Sequence, residues 1–176
     1  VWDIKLVETG AQIAAFRKKY IEKSNQQLGE IYSELADKPS SLSIDYVSDC
    51  RDQYADTMLK LLEKRRQIDI ERGFTSVGPH RDDMTIYLNK KLSSTSASRG
   101  ETRTILLSMK IIELKGVEES LGVQPVFMLD DVFSELDGAR RRALTEYMNQ
   151  YQTFITTTDA DVVLHNFSQN TKQILI

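Results

Sequence analysis

The chain has 176 residues, enough for one domain or one domain with an appendage. At 40% apolar and 28% charged it excludes wholesale disorder, and a net charge of −3 excludes general nucleic-acid coating, leaving only a local basic patch for any DNA contact. The single cysteine, Cys50, excludes an internal disulfide framework and suits a reducing cytoplasm, and no apolar run approaches the roughly 20 residues of a membrane span. No signal-peptide pattern opens the chain; it starts on Val1 rather than Met and enters a helical pattern at once, which reads as a cut within a longer polypeptide.

From the N-terminus, Ile13, Phe16, Tyr20, Leu28, Ile31 and Leu35 recur at helical steps, with Arg17, Lys18, Glu22 and Lys23 filling the gaps. That spacing predicts a long amphipathic helix over about 1–36 with those apolar residues as its core stripe, stopped by Pro39 and the serines after it. Trp2, near its start, reads as packing. "SLSIDYV" then alternates, placing Leu42, Ile44 and Tyr46 on one face of a half-buried strand. Ser48 is positioned to cap a second helix that runs to Gly73, with Tyr54, Met58, Leu61, Arg65 and Ile68 as its stripe. Together these elements predict an antiparallel helical arm over 1–73. Its second helix carries Lys64, Arg65 and Arg66, either as a solvated face tied by local ion pairs or as a DNA-backbone contact.

After Gly73, "FTSV" and "MTIYL" read as two strands of a hairpin around "GPHRDD", and "SSTSAS" as a loop. "ETRTILLSMKIIELKGVEESLG" is a helix almost apolar all round its middle, which implies burial on more than one side. "PVFML" reads as a buried strand, "GARRRALTEYMNQ" as a helix, "TFITTT" as a strand and "KQILI" as a last one. Apolar strands alternating with helices predict an α/β fold with a parallel core over 74–176.

The chemistry concentrates where the apolar strand runs into Asp130 and Asp131. Adjacent carboxylates repel unless a cation, hydrogen bonds or solvent compensates them. Ligands in parallel sheets sit beyond the carboxyl ends of the strands. A hydrophobic strand ending in Asp is how P-loop ATPases hold magnesium, the first acid orienting the ion and the next able to polarise the attacking water. Two solvated turn acids are the plainer alternative. Ser98 and Glu101 form S-x-x-E before an apolar helix, a capping box whose glycine-bearing N-terminus also suits a phosphate. Ser134 with Asp137 fits a second capping box, and Arg140, Arg141 and Arg142 just beyond it call for a negative partner: phosphate, DNA or the nearby acids.

The order of "SRGETR", a helix, "VFMLDDVFSELD" and "TFITTT" resembles the C-terminal half of an ABC-type ATPase head. "VGPHRDD" narrows the resemblance to the RecF family of SMC-related DNA-repair ATPases, over essentially the whole chain. The resemblance implies a partial ABC-ATPase head with a parallel-sheet core and flanking helices, plus the helical arm. It implies Asp130 as the Walker B ligand of Mg2+ and Asp131 as the acid beside the lytic water. Ser98, Arg99 and Gly100 become the signature that meets ATP held by a partner subunit. Ser134, Glu135, Leu136 and Asp137 become the D-loop at the dimer interface. His80, Arg81 and Asp82 mark the family, with a structural turn around a satisfied histidine as their plain reading. Glu101 stands where the family continues with Gln, and Thr158 and Asp159 where many ABC ATPases place a switch histidine.

By the same resemblance the function would be cytoplasmic DNA repair and replication within the SOS response. ATP would drive a homodimer that binds gapped or duplex DNA and assists RecO and RecR in loading recombinase. No G-x-x-x-x-G-K-[ST] occurs in the chain, so alone it is expected to be inactive as an ATPase. Two other classes stay open at this point. One is a non-catalytic DNA- or protein-binding module with vestigial motifs. The other is a two-metal nuclease using Asp82, Asp83, Asp130 and Asp131.

Overall fold

The computed structural model describes residues 2–157 and Lys172, so the expected last strand at 172–176, apart from Lys172 itself, and the switch position at Thr158 and Asp159 lie outside the described residues. In chain order the elements are α1 (Trp2–Ala36), β1 (Leu42–Val47), α2 (Tyr54–Arg72), β2 (Asp83–Leu88), β3 (Lys91–Leu92), α3 (Ser93–Ser96), α4 (Arg99–Leu121), β4 (Phe127–Asp130), α5 (Gly138–Met148) and β5 (Thr153–Thr156). A single 3-10 turn, Val132–Glu135, links β4 to α5. This is a mixed α/β architecture with one small antiparallel sheet and one small parallel sheet.

Contacts divide the chain into two units. The first holds residues up to Gln27 with Leu42–Ser96, and the second holds Leu28–Ser41 with the residues from Ala97 onward. This partition differs from a split at Gly73, for a reason visible in the sheet. β2 pairs antiparallel with β1 from Leu42 opposite Leu88 to Val47 opposite Asp83, so the stretch after α2 is hydrogen-bonded to the strand before it.

In the first unit α1 and α2 run antiparallel, as expected. Asp3 meets Arg66 at 2.9 Å, Val7 shares a buried cluster with Leu62 and Met58, and Gly10 lies against Met58. The face that α1 buries here is not the expected one. Val7, Gly10, Ala14 and Ile21 are buried, whereas Ile13, Phe16 and Tyr20 are exposed. The reason is close approach: a Cβ on Gly10 would sit 3.0 Å from Met58 Sδ and 3.2 Å from Pro79 Cδ. Small residues admit the neighbouring elements, and bulky ones turn outward. On α2 the buried residues are Met58 and Leu62, and Ile68 is exposed.

Three local expectations are corrected. Ser48 does not cap α2, whose N-cap is Gln53 in a left-handed conformation; the Ser48 hydroxyl instead accepts from the Cys50 amide at 3.0 Å. "FTSV" forms no strand, and β2 turns into β3 through Asn89 and Lys90, both at positive φ as a tight two-residue hairpin requires. Part of the serine loop winds into α3, whose Thr95 and Ser96 hydroxyls donate to the Leu92 carbonyl.

In the second unit β4 and β5 pair in parallel, Phe127 opposite Thr153 through Asp130 opposite Thr156, with α5 as the crossover that parallel pairing needs. α4 buries Ile105, Leu107, Ile111, Ile112 and Leu114, more than one stripe, in keeping with its apolar middle. The last turns of α1 contribute Leu28, Ile31, Tyr32 and Leu35, all buried.

Candidate functional site

In the second unit, β4 delivers Asp130 and Asp131 to its carboxyl end, where both are exposed. The strand stops because Asp131 takes φ 49, a left-handed conformation that aspartate tolerates better than most residues. Its amide still closes the ladder, donating to the Thr156 carbonyl at 3.0 Å and to the Thr156 hydroxyl at 3.1 Å. The same hydroxyl donates to Asp130 Oδ1, so Thr156 on β5 orients the first acid and the backbone of the second. Beyond the tip, Phe133 is fully buried within the 3-10 turn and pins the direction in which the chain leaves the sheet.

Ser98 is the N-cap of α4 in a complete capping box. Its hydroxyl accepts from the Glu101 amide at 3.3 Å, and its own amide and hydroxyl each donate to Glu101 Oε2 at 2.9 Å. The Ser98 amide, the Ser98 hydroxyl and Lys38, 3.4 Å from Oε1, hold the Glu101 carboxyl below its ordinary range. Glu101 is therefore turned back onto its own helix. Arg99 and Gly100 occupy the first two helical positions, and a Cβ on Gly100 would meet nothing within 4 Å.

Ser134, Glu135 and Leu136 lie in and just after the 3-10 turn, and Asp137 is the N-cap of α5. The second capping box, headed by Ser134, is thus replaced by a simple cap in which the Asp137 carboxylate accepts from the Arg140 amide at 3.0 Å. That bond, with the Arg140 charge, lowers the Asp137 carboxyl below its ordinary range. The arginines that lead α5 find local partners. Arg140 pairs with Asp137 and donates from Nε to the buried Thr104 hydroxyl at 2.7 Å, while Arg141 Nε donates to the Phe133 carbonyl at 3.0 Å. Since the Thr104 hydroxyl donates to the Gly100 carbonyl at 2.9 Å, a bonded path runs from Gly100 through Thr104 and Arg140 to Asp137.

No protein-family model matches the chain. The "DNA replication and repair protein RecF" of Clostridium perfringens strain SM101 is 38% identical over 174 residues, covering 98% of this chain and 48% of the relative. The protein of the same description from Pediococcus pentosaceus is 39% identical over 162 residues, covering 88% and 43%. A solved structure of the recombination mediator protein RecF with ATP, in the RecFOR pathway, superposes with a TM-score of 0.77 at 32% identity, covering 90% of this chain and 44% of that one.

The chain is a RecF homologue. It spans about half the length of the curated relatives it matches.

In the first unit of this homologue, "GPHRDD" acts as a clamp. His80 is exposed and its Nε2 lies 2.8 Å from the Thr75 carbonyl, a satisfied turn histidine. The Arg81 guanidinium stacks 4.6 Å from the Phe74 ring centre. Asp82 accepts from the Tyr46 hydroxyl and from the Tyr54 hydroxyl at 2.8 Å, and Arg17 donates to the Pro79 carbonyl. This one turn is thereby bonded to α1, β1 and α2. Burial, then the Asp82 bond, pushes the Tyr46 hydroxyl up to about 12, and burial pushes that of Tyr54 up as well.

Among the residues considered for DNA, Arg65 pairs with Asp49 at 3.1 Å and Arg66 with Asp3 at 2.9 Å, while Lys64 is exposed. Among the described residues no group of three His, Cys, Asp or Glu side chains stands close enough to hold a metal ion. No helix among them is long and apolar enough to cross a membrane. A cavity of about 400 Å³ between α5 and the end of α1 is lined by Glu34, Asp37 and Glu146 beside Arg142, a balance ill suited to phosphate.

Thr104 and Thr156 are the site residues that sequence reading missed. Arg140 finds one of its expected partners, the nearby acid Asp137, but its second, the Thr104 hydroxyl, lies 36 residues away on another helix. Thr156 had one usable signal: a strand paired in register with β4 must bring its last residue beside Asp130.

Proposed function

We propose that this chain is the magnesium-binding and dimer-signature portion of a RecF-type ATPase acting in DNA repair. In this reading the second unit belongs to the ATPase head and the first to a helical arm. The observation that carries it is the pair Asp130–Asp131 at the carboxyl end of a parallel strand, with Asp130 oriented by a hydroxyl from the neighbouring strand.

The residues suit magnesium, which is typically held by one or two carboxylates with phosphate and water oxygens completing its shell. Asp130 would supply the ligand oxygen. Bound there, the ion would neutralise charge on the β- and γ-phosphates. Asp131, exposed at the same tip, would accept the proton of the attacking water. Ser98, Arg99 and Gly100 would meet the γ-phosphate of ATP held by a second copy at the α4 N-terminus. The Ser98 hydroxyl, which donates to Glu101 Oε2 in the capping box, would have to turn from that acid to the phosphate. Ser134–Asp137 would line the same interface, and the path from Gly100 to Asp137 would keep signature and D-loop in register.

DNA would be met by a basic stretch that includes Lys64, and RecO and RecR would be the partners, in the cytoplasm. The test is ATP turnover by a RecF-length protein carrying this segment, with and without duplex DNA, beside its Asp131→Asn variant. DNA-stimulated turnover that the variant loses supports the reading; turnover that the variant retains overturns it. The 176-residue chain alone, which has no Walker A sequence, is expected to show none.

A further inference from the structure

Within the second unit, the end of α1 is tied to two helices. Lys38, just past α1, reaches Glu101 in the first turn of α4, and the Tyr147 hydroxyl of α5 donates to Glu34. Two residues before Glu34 is Tyr32, which is 0% exposed. Among the described residues its hydroxyl has no hydrogen-bond partner. That is unusual, because a buried hydroxyl left unpaired is costly and most such groups in folded proteins are satisfied.

Two charges act on this hydroxyl. Burial and then the Glu101 carboxylate push its pKa up from 10.0, and the Arg140 guanidinium opposes them. Tyr32 therefore keeps its proton at neutral pH and is a spare donor near an acid. Both charges belong to the candidate site: Glu101 closes the capping box of α4, and Arg140 joins Thr104 to Asp137.

Glu101 is where a donor would be needed. Its Oε2 accepts from the Ser98 amide and the Ser98 hydroxyl, each at 2.9 Å. Once the hydroxyl turns to a γ-phosphate, Oε2 loses one of these two donors while more negative charge arrives at the same helix start. Lys38 serves the other oxygen, Oε1, from 3.4 Å and is half-exposed, so it compensates weakly.

We infer that Tyr32 is a positioning residue for the α4 N-terminus, its hydroxyl donating to Glu101 when the Ser98 hydroxyl turns to phosphate. The spare donor then holds the Glu101 charge on its own helix and away from the nucleotide. This rests on the ATPase reading above.

The test uses a RecF-length protein carrying this segment. Tyr32→Phe removes the hydroxyl and keeps the ring, and Ser98, which is exposed, becomes Ala to imitate departure of its hydroxyl. Circular dichroism checks that the variants keep their helices. Without nucleotide, Tyr32→Phe alone should leave the melting temperature unchanged or raise it, because it deletes an unsatisfied group. In the Ser98→Ala background it should lower the melting temperature, a reversal of sign that a packing role would not give. Adding Glu101→Ala should remove the reversal, since the acceptor is then gone. With a slowly hydrolysed ATP analogue, sedimentation should show the Tyr32→Phe dimer weakened roughly ten- to hundredfold, the worth of one hydrogen bond to a charged group. If Tyr32→Phe acts with the same sign in both backgrounds, or dimerises as tightly as a native protein that does dimerise, the inference alone fails. If the native protein does not dimerise with the analogue, the ATPase reading fails and the inference with it.

Discussion

In the first unit Asp82 is half-buried between two tyrosine hydroxyls, whereas in the second Asp130 and Asp131 stand exposed at the end of a strand. Both places are acid pairs in the sequence, Asp82–Asp83 and Asp130–Asp131, and both carry the family resemblance. The difference lies in what surrounds them. Asp82 receives donors from two separate elements and holds β1 and α2 to the turn between α2 and β2. Asp130 receives one donor, which orients it without covering it. A motif that identifies a family can thus be a covered clamp in one unit and an open strand tip in the other.

The sharpest way to break that contrast is to neutralise each acid. In a RecF-length protein carrying this segment, Asp131→Asn should lower ATP turnover by about 10²–10⁴-fold, the usual worth of a general base, with an unchanged melting temperature. Asp82→Asn should do the reverse. It replaces a charged acceptor of two tyrosine hydroxyls, and urea melts should show a loss of about 1.5–3 kcal/mol. If Asp82→Asn abolished turnover at full stability, the clamp reading of "GPHRDD" would be wrong.

The same clamp gives a pH dependence with a definite sign. The folded state raises the Tyr46 hydroxyl from 10.0 to about 12, so it binds that proton more tightly than the unfolded chain does. The stabilisation is complete below pH 10 and is lost as pH rises through the folded value near 12. Melting curves over that window should fall for the native chain and fall less steeply for Tyr46→Phe, in which Tyr54, Tyr147 and Tyr151 still hold their protons more tightly than the unfolded chain does.

How much of this was legible depended on whether the signal was local. The limits of α1, the alternation in β1, the Ser98–Glu101 box and the acidic strand tip each lie within a few residues, and each was visible. The buried face of α1 was not, because periodicity weights bulky residues and this interface is built from small ones, Gly10 and Ala14 among them. Tyr46 and Tyr54 read as ordinary members of a strand and a helix. Nothing local ties them to Asp82, which is 36 and 28 residues away. "FTSV" looked like a strand by composition, but β1 already occupies the edge of β2 where it would have paired. The RecF relationship was legible because it rests on the order of several short motifs rather than on any one contact.

A smaller effect is expected at Arg140, where the path from Gly100 to Asp137 passes through a side chain 20% exposed. Arg140→Ala removes the charged donor from the buried Thr104 hydroxyl while leaving the backbone cap of α5 intact, and should cost about 1–2 kcal/mol. Arg140→Lys should recover little of it, because one ammonium does not reproduce the guanidinium geometry that reaches Thr104 and Asp137 together.

The smallest effect should come from Glu101→Gln. Glutamine keeps the reciprocal bonds of the capping box and gives up only the charge, which faces the α4 N-terminus and Lys38. The expected loss is about 0.3–1 kcal/mol near neutral pH, the worth of one carboxylate at a helix N-terminus. Because the folded state lowers the Glu101 pKa, that contribution is present above the ordinary value of 4.5 and fades as pH falls through the folded one. Melting temperatures of the two proteins should therefore converge in acid. A loss well above 1 kcal/mol would mean that Glu101 holds more than its own helix start, and Lys38→Met in both backgrounds would then show whether the excess runs through that ion pair.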